Sequence, residues 1–244
     1  MTLLYGKPVA ERILQATKER IATARVRPVL AVVLVGDDVA SALYVGLKEK
    51  AAALCGIVFI KKLFPATVSF RELVACIEEL NTRADIHGIL VQLPLPAGLP
   101  TDEIIAHINP AKDTDGFHQE TIRQFLLGNK EACPVFPRAV VELLRETKVQ
   151  FQGEKGLVIA NSDLLGKVMA QALAYEGLDC AYILSSAQKE VWSTQTKAAL
   201  VIVTACGIPG LLTGEMISAG VTIIDGGAGQ VGDKVVGDVG RECY

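Results

Sequence analysis

The sequence has no excess of positive charge. Its 24 Lys and Arg stand against 27 Asp and Glu, a net charge of −3. That removes the electrostatic case for a nucleic acid or an anionic membrane as partner. Aromatic residues are scarce, at 5%, and no basic stripe is interleaved with them, so no base-stacking platform is expected. The three histidines (His87, His107 and His118) are scattered, and no His/Cys/Asp cluster has ligand spacing, so no metal is expected. Six cysteines, at 55, 76, 133, 180, 206 and 243, include no CxxC pair. Most sit in apolar runs, where a thiol behaves as a small hydrophobe. With no signal peptide, this points to a reducing, cytoplasmic setting. The longest apolar runs, such as Val29–Val35, are too short to span a bilayer.

What is present is apolar and periodic. Half of the 244 residues are hydrophobic and 21% are charged, which suits one large domain or two small ones. Helical periodicity covers Lys7–Ala24. Pro28–Val35 is a β-branched run that fits a strand buried on both faces. A turn from Gly36 delivers a helix with Ser41 as its N-cap and Gly56 as its C-cap. Leu43, Leu47, Leu54 and the alanines at 51–53 are expected to pack that helix. Ile57–Leu63 and Gly88–Gln92 read as further strands, with an amphipathic helix over Ser69–Thr82 between them. Thr101–His107 reads as a short helix. The order β-α-β-α-β implies a parallel sheet, and such sheets bind ligands beyond the carboxyl ends of their strands.

Three polar stretches fall at that edge. Tyr44 and Lys48 are four apart and share a helix face. A phenol beside a pocketed ammonium is a possible proton-handling pair, although the spacing equally fits a tyrosine lying along a solvated lysine. Gln92-Leu-Pro-Leu-Pro96 follows a strand with two prolines that fix an extended path. Gln92 then faces the crevice, where a neutral amide can hold a lysine without adding a counter-charge, or it is solvated at the strand end. Asn109–His118 is a turn-rich loop in which Asp115-Gly116 either places a carboxylate in a cleft or caps its own turn.

The second half alternates again. A helix is expected over Arg138–Lys148, after Pro134-Val-Phe-Pro137. Strands follow at Gly156–Ala160, Cys180–Leu184, Leu200–Ala205 and Val221–Asp225, with a helix over Lys167–Gly177. This resembles a Rossmann-like nucleotide domain. No Gly-x-Gly-x-x-Gly follows Ala160, and Ser185-Ser186 stand where an acidic ribose partner is usual. Ser162 and the backbone ahead of the helix can still receive a phosphate.

Taken together, these stretches resemble the methylenetetrahydrofolate dehydrogenase/methenyltetrahydrofolate cyclohydrolase family. The motifs that carry the likeness are Val35-Gly-Asp-Asp-Val-Ala-Ser41, Tyr44-Val-x-x-Lys48, Val91-Gln-Leu-Pro-Leu-Pro96 and Lys112-Asp-Thr-Asp-Gly-Phe-His118. Ala205-Cys-Gly-Ile-Pro209 and Gly237-Asp-Val239 add to them. The resemblance implies an α/β catalytic domain over residues 1–137 and a Rossmann-like NAD(P) domain over 138–244, with a folate cleft between them. It implies oxidation of 5,10-methylenetetrahydrofolate with NADP or NAD, then hydrolysis of the methenyl product to 10-formyltetrahydrofolate. Lys48 is then the key catalytic residue, with Tyr44 stacking on the folate, Gln92 tuning the lysine and Asp115 binding the pterin. Val91 and Leu93 line the substrate site. Ala160, Asn161, Ser162, Gly166, Ser185, Cys206, Gly207 and Ala228 line the cofactor site. A homodimer is also implied.

Departures from the family pattern collect in the second half. Its Gly-Arg-Ser is Ala160-Asn161-Ser162, and the proline after Gly-Lys is Val168. Its His-Ser-Arg/Lys-Thr is Ser185-Ser-Ala-Gln188, its Cys-Thr-Pro is Val135-Phe136-Pro137, and its Val-Gly after Asp225 is Gly226-Gly227. The chain also stops soon after Val239, without the family's Pro-Gly-Gly-Val-Gly-Pro-Met-Thr segment. The expectation is a shift away from NADP, with hydrolysis better kept than oxidation. The alternatives are a paralogue that only hydrolyses, or a non-catalytic folate- or nucleotide-binding protein.

Overall fold

The computed structural model describes residues 2–187, 189–232 and 234–243, with the side chains of 189–191 and 193 left aside. Its contacts divide the chain into Gly6–Leu127 and a second unit of Met1–Tyr5 with Gly128–Tyr244.

In the first unit, α1 (Gly6–Ala22) leads to β1 (Val29–Val35), α2 (Val39–Cys55), β2 (Val58–Phe64), α3 (Phe70–Thr82), β3 (Gly88–Val91), α4 (Thr101–Ala106) and α5 (Gln119–Leu126). The strands are parallel in the order β2-β1-β3. Strand side chains alternate, and the burial follows. Ala31, Val33, Val35, Ile89 and Val91 pack with α3 and α4. Val32 and Leu90 pack on the opposite face with Val45 of α2. Gln92 has the parity of Leu90, so the pleat turns it towards α2.

The rotation of α2 departs from the expected one. Leu43, Leu47 and Leu54 are exposed; of the residues expected to pack, Ala52 is buried and Ala51 half-buried, and Ser41, Val45 and Cys55 complete the buried side. The helix is apolar on more than one side, so its periodicity could not say which side meets the sheet. The sheet takes the side with the smaller residues. The N-cap is Asp38 rather than Ser41, because Asp38 Oδ2 accepts the Ser41 N–H at 2.7 Å. Gly56 closes the helix at φ +83° as expected.

In the second unit, α6 (Val135–Arg145), β4 (Lys155–Ala160), α7 (Asp163–Ala174), β5 (Asp179–Leu184), α8 (Lys189–Ala198), β6 (Val201–Ala205) and β7 (Thr222–Asp225) build a parallel sheet in the order β5-β4-β6-β7. Helices α6 and α7 pack on one face around Val158, Val203 and Ile224. On the other face, Trp192 of α8 packs with Leu157, Ile159 and Ile202. A hairpin of β8 (Gly229–Val231) and β9 (Lys234–Val236) follows. Two helices start earlier than their composition implies. Helix α6 takes Pro137 into its first turn, where the backbone N–H has no helical partner to lose. Helix α7 starts at Asp163 and carries Gly166 inside, where a Cβ would strike the Tyr182 ring.

Lys112 fixes the loop after α4. Its Nζ donates to the carbonyls of Leu80 (3.2 Å), Asn81 (2.7 Å) and Arg83 (2.8 Å) at the end of α3, a cation on the negative end of a helix. Replacing it removes charge-assisted bonds from half-buried carbonyls. Lys112→Met is expected to lower the urea-unfolding free energy by about 1.5–3 kcal/mol. A loss below about 0.5 kcal/mol would mean that water replaces the ammonium freely.

Candidate active site

Lys48 falls at the helical spacing of the buried stripe of α2, seven residues after Ser41 and seven before Cys55. The half-buried side chain therefore runs towards the sheet edge, and its Nζ donates to Gln92 Oε1 at 2.9 Å. Gln92 is 8% exposed and doubly fixed. Its backbone N–H donates to Val33 O at 2.9 Å, and its Nε2 donates to Leu93 O at 2.7 Å. With the amide nitrogen committed to Leu93, the oxygen is left for the lysine. The Leu93–Pro94 peptide beside it is cis. Tyr44 stands one turn before Lys48, with its ring largely exposed.

Asp115 comes to the same edge on a loop that its neighbours build. Asp113 pairs with Ile89 as an isolated parallel bridge. Its carboxylate accepts the N–H groups of Gly116 at 3.0 Å and His118 at 2.9 Å. Thr114 seals the loop on β3, donating its hydroxyl to Ile89 O at 3.1 Å. Gly88 is required beneath it, since a Cβ there would strike Thr114 Cγ2. The turn is thus capped by Asp113, and no hydrogen bond among the described residues engages the Asp115 carboxylate. Burial pushes its carboxyl above the ordinary range, the charge of Lys48 pulls it back, and that of Asp113 adds to the rise.

The second unit presents a different edge. Ser162 caps α7, its side chain accepting the Leu165 N–H at 3.4 Å, so the free N–H groups of the first turn point outward beside exposed Asn161. Such a terminus suits an anion. Ser185 is tied to it through its N–H, which donates to Ala160 O at 2.8 Å. Asp163 is taken up by the Tyr182 hydroxyl and by Lys167, each at 2.5 Å. The Cys206 thiol donates to Ile159 O at 3.3 Å, and burial pushes its pKa up, so it is held as a neutral thiol. Gly207, at φ +71°, brings bare backbone against Ala228. Backbone donors, small residues and a helix N-terminus fit a dinucleotide.

Comparison with known proteins decides the family. The tetrahydrofolate dehydrogenase/cyclohydrolase catalytic domain matches residues 4–115, and the NAD(P)-binding domain of the same family matches residues 134–243. The chain belongs to the tetrahydrofolate dehydrogenase/cyclohydrolase family. It is 36% identical to the bifunctional protein FolD of Methanospirillum hungatei, over 97% of this chain and 84% of that one. It is 39% identical to the FolD of Bordetella avium, again over 97% of this chain and 84% of that one. Among solved structures, the bifunctional FolD enzyme of Campylobacter jejuni superposes with a TM-score of 0.91 at 34% identity, covering 98% of this chain and 86% of that one. The Trypanosoma brucei enzyme, a complex with NADP and an inhibitor, gives 0.91 at 31% identity, covering 98% and 85%.

Within this family member, the expected residues fall into two groups. Lys48, Gln92 and Asp115 meet at the edge of the first sheet, with Tyr44 one turn away and buried Val91 and half-buried Leu93 flanking Gln92. Ala160, Asn161, Ser162, Ser185, Cys206, Gly207 and Ala228 lie at the strand ends of the second unit. Gly166 sits apart from them, inside α7 and buried under Tyr182. Gln188, the last of the four residues in the altered Ser185 segment, lies outside the described residues. Two departures from the family pattern prove to be one: a Cβ on Gly226 would come within 2.5 Å of the Phe136 ring. The sequence reading missed Asp225 and Asp238 as organisers of this edge. Their signal was the pair of glycine-flanked motifs in which they sit.

The raised carboxyl of Asp115 has a consequence for stability. A carboxyl whose pKa rises on folding favours the fold below its unfolded value, near 3.9, and that contribution is lost as the pH rises through the folded value. Asp115→Asn removes the titration. Its unfolding free energy relative to the parent is expected to improve in urea titrations as the pH rises from about 4 through the folded pKa of Asp115, and to level off above it. A relative stability that does not change over that range would contradict the burial argument.

Proposed function

We propose that this chain catalyses two successive reactions on a folate-bound one-carbon unit. The first is NAD(P)-dependent oxidation of 5,10-methylenetetrahydrofolate to the methenyl form. The second is hydrolysis of that form to 10-formyltetrahydrofolate. Family membership supports the pair of reactions, and the Lys48–Gln92 hydrogen bond is the observation that carries the mechanism.

In the hydrolysis, water adds to the electrophilic methenyl carbon. Lys48, as the free amine, takes one proton from the water as it adds and returns it to N5, while the remaining hydroxyl proton leaves to solvent as the formyl C=O forms and the carbon–N5 bond breaks. Gln92 fixes the lysine nitrogen through a neutral amide oxygen. Asp115 accepts from the donor-rich pterin, whose binding satisfies a carboxyl that has no hydrogen-bond partner among the described residues. Tyr44 supplies an aromatic face to the folate, and Val91 and Leu93 border it. In the oxidation, a bound NAD(P) would supply the hydride acceptor for the methylene carbon. The chain's part in that step is to hold the dinucleotide on the N-terminus of α7 with Asn161 and Ser162, and along Ala160, Ser185, Cys206, Gly207 and Ala228; Gly166 serves the packing of α7 instead. We assign the folate chemistry to residues 1–137 and the cofactor to 138–244. We place the enzyme in the cytoplasm as a homodimer.

NAD is the preferred cofactor. None of Asn161, Ser162, Ser185 and Ser186 carries a positive charge, and Lys167 is engaged by Asp163. A 2′-phosphate therefore lacks charge-assisted bonds worth about 1.5–3 kcal/mol each.

One preparation tests the whole reading through two assays, methenyltetrahydrofolate hydrolysis and methylenetetrahydrofolate oxidation with each dinucleotide. Lys48→Met is expected to slow hydrolysis by about 100- to 10,000-fold. The parent is expected to oxidise its substrate with NAD at a lower KM than with NADP. Hydrolysis that survives the substitution would remove Lys48 from the mechanism, and a preference for NADP would remove the charge argument.

A further inference from the structure

Two carboxylates set the geometry at the carboxyl ends of β6 and β7. Asp225 closes β7. Its Oδ1 accepts from Thr204 Oγ1 at 3.2 Å, Gly227 N at 3.0 Å and Asp238 N at 3.0 Å, and its Oδ2 accepts from Val239 N at 3.1 Å. Asp238 is fully buried. Its Oδ2 accepts the Cys206 N–H and its Oδ1 the Ile208 N–H, both at 2.7 Å. No ion pair among the described residues touches either group. Leu212 N donates to Asp238 O at 3.0 Å and ties the segment from a third side. The fit leaves no room for side chains: a Cβ on Gly237 would fall on Asp225 Oδ2, and one on Gly227 would fall on the Asp238 carboxylate.

Burying an anion is costly unless hydrogen bonds compensate. An apolar residue would fill the space behind the loop at less cost. What the anion achieves is orientation. It draws two N–H groups of Cys206-Gly207-Ile208 inward and so fixes which way that short loop presents its outer surface. Gly207, Ile208 and Pro209 are all exposed on that outer side.

We propose that Asp238 is a positioning residue for the dinucleotide. It holds the Cys206–Ile208 loop from behind, with Asp225 holding Asp238 in turn, and sets NAD(P) affinity without touching the cofactor. This rests on the reading that the edge of the second unit receives NAD(P).

The test is calorimetric titration of the full chain with NAD+ and with NADP+, beside the emission of buried Trp192 as a report on the fold. Asp238→Asn keeps the shape but sets an amide NH2 against one of the two backbone N–H groups. Its Kd for the dinucleotide that the parent binds is expected to rise about tenfold or more with Trp192 emission unchanged. The KM for that dinucleotide is expected to rise more than kcat falls. Thr204→Val removes one hydroxyl from Asp225 in a side chain of the same shape, and a smaller rise of the same sign is expected. A folded Asp238→Asn that binds as the parent does overturns the proposal. If that variant does not fold, parental affinity in Thr204→Val overturns it. A parent that binds neither dinucleotide overturns the reading of the edge itself, and the proposal with it.

Discussion

The 2.9 Å hydrogen bond from Lys48 to Gln92 joins residues 44 positions apart, and most of the first unit can be read as the means of making it. Three conditions must hold together. Strand β3 must end beside β1, which the parallel pairing of Leu30–Val33 with Gly88–Val91 secures. The pleat must turn Gln92 to the α2 face, which its parity with Leu90 does. Helix α2 must lie with its small side down, so that Lys48 rather than Leu47 is carried along the sheet. A slip of one residue in β3, or a turn of α2 by one position, would separate donor from acceptor.

The cost of this arrangement shows at Asp115, a polar group that is not self-contained. The Asp115 carboxyl is drawn out of water with only the charge of Lys48 to moderate it. Asp113, two residues away, takes the Gly116 and His118 N–H groups. Two acids of one motif, separated by Thr114, thus divide the labour: one builds the loop, and the other is left for a ligand. The second unit uses its buried acids differently. There a dinucleotide edge without the usual glycine fingerprint is shaped by carboxylates that bind backbone, and glycines are needed to let the carboxylates in.

Much of this was legible in the sequence because it follows from strand order. Once the strands ending at Val35 and Val91 are recognised, Lys48, Gln92 and Asp115 fall at one edge by topology alone. The strands themselves were legible as β-branched runs, and Gly56 as a cap. What could not be read was the rotation of α2, since an apolar helix with leucines on its outer side has no polar face to mark solvent. The start of α7 was hidden by Gly166, which weakens a helix on propensity and is tolerated here only because Tyr182 fills the space above it. The Asp225–Asp238 arrangement joins segments from separate motifs. No local pattern carries it, although the glycine next to each acid, Gly226 after Asp225 and Gly237 before Asp238, is its trace.

Phe136 and Gly226 extend that point. They lie 90 residues apart in the chain and share one volume, because the phenyl ring stands where a side chain on residue 226 would begin. The two positions therefore hold a single quantity of matter between them, and what one gains the other must give up. An exchange of parts with a relative that cut the chain between them would inherit either two occupants for one space or none. In a graft, the start of α6 and the end of β7 travel together or not at all.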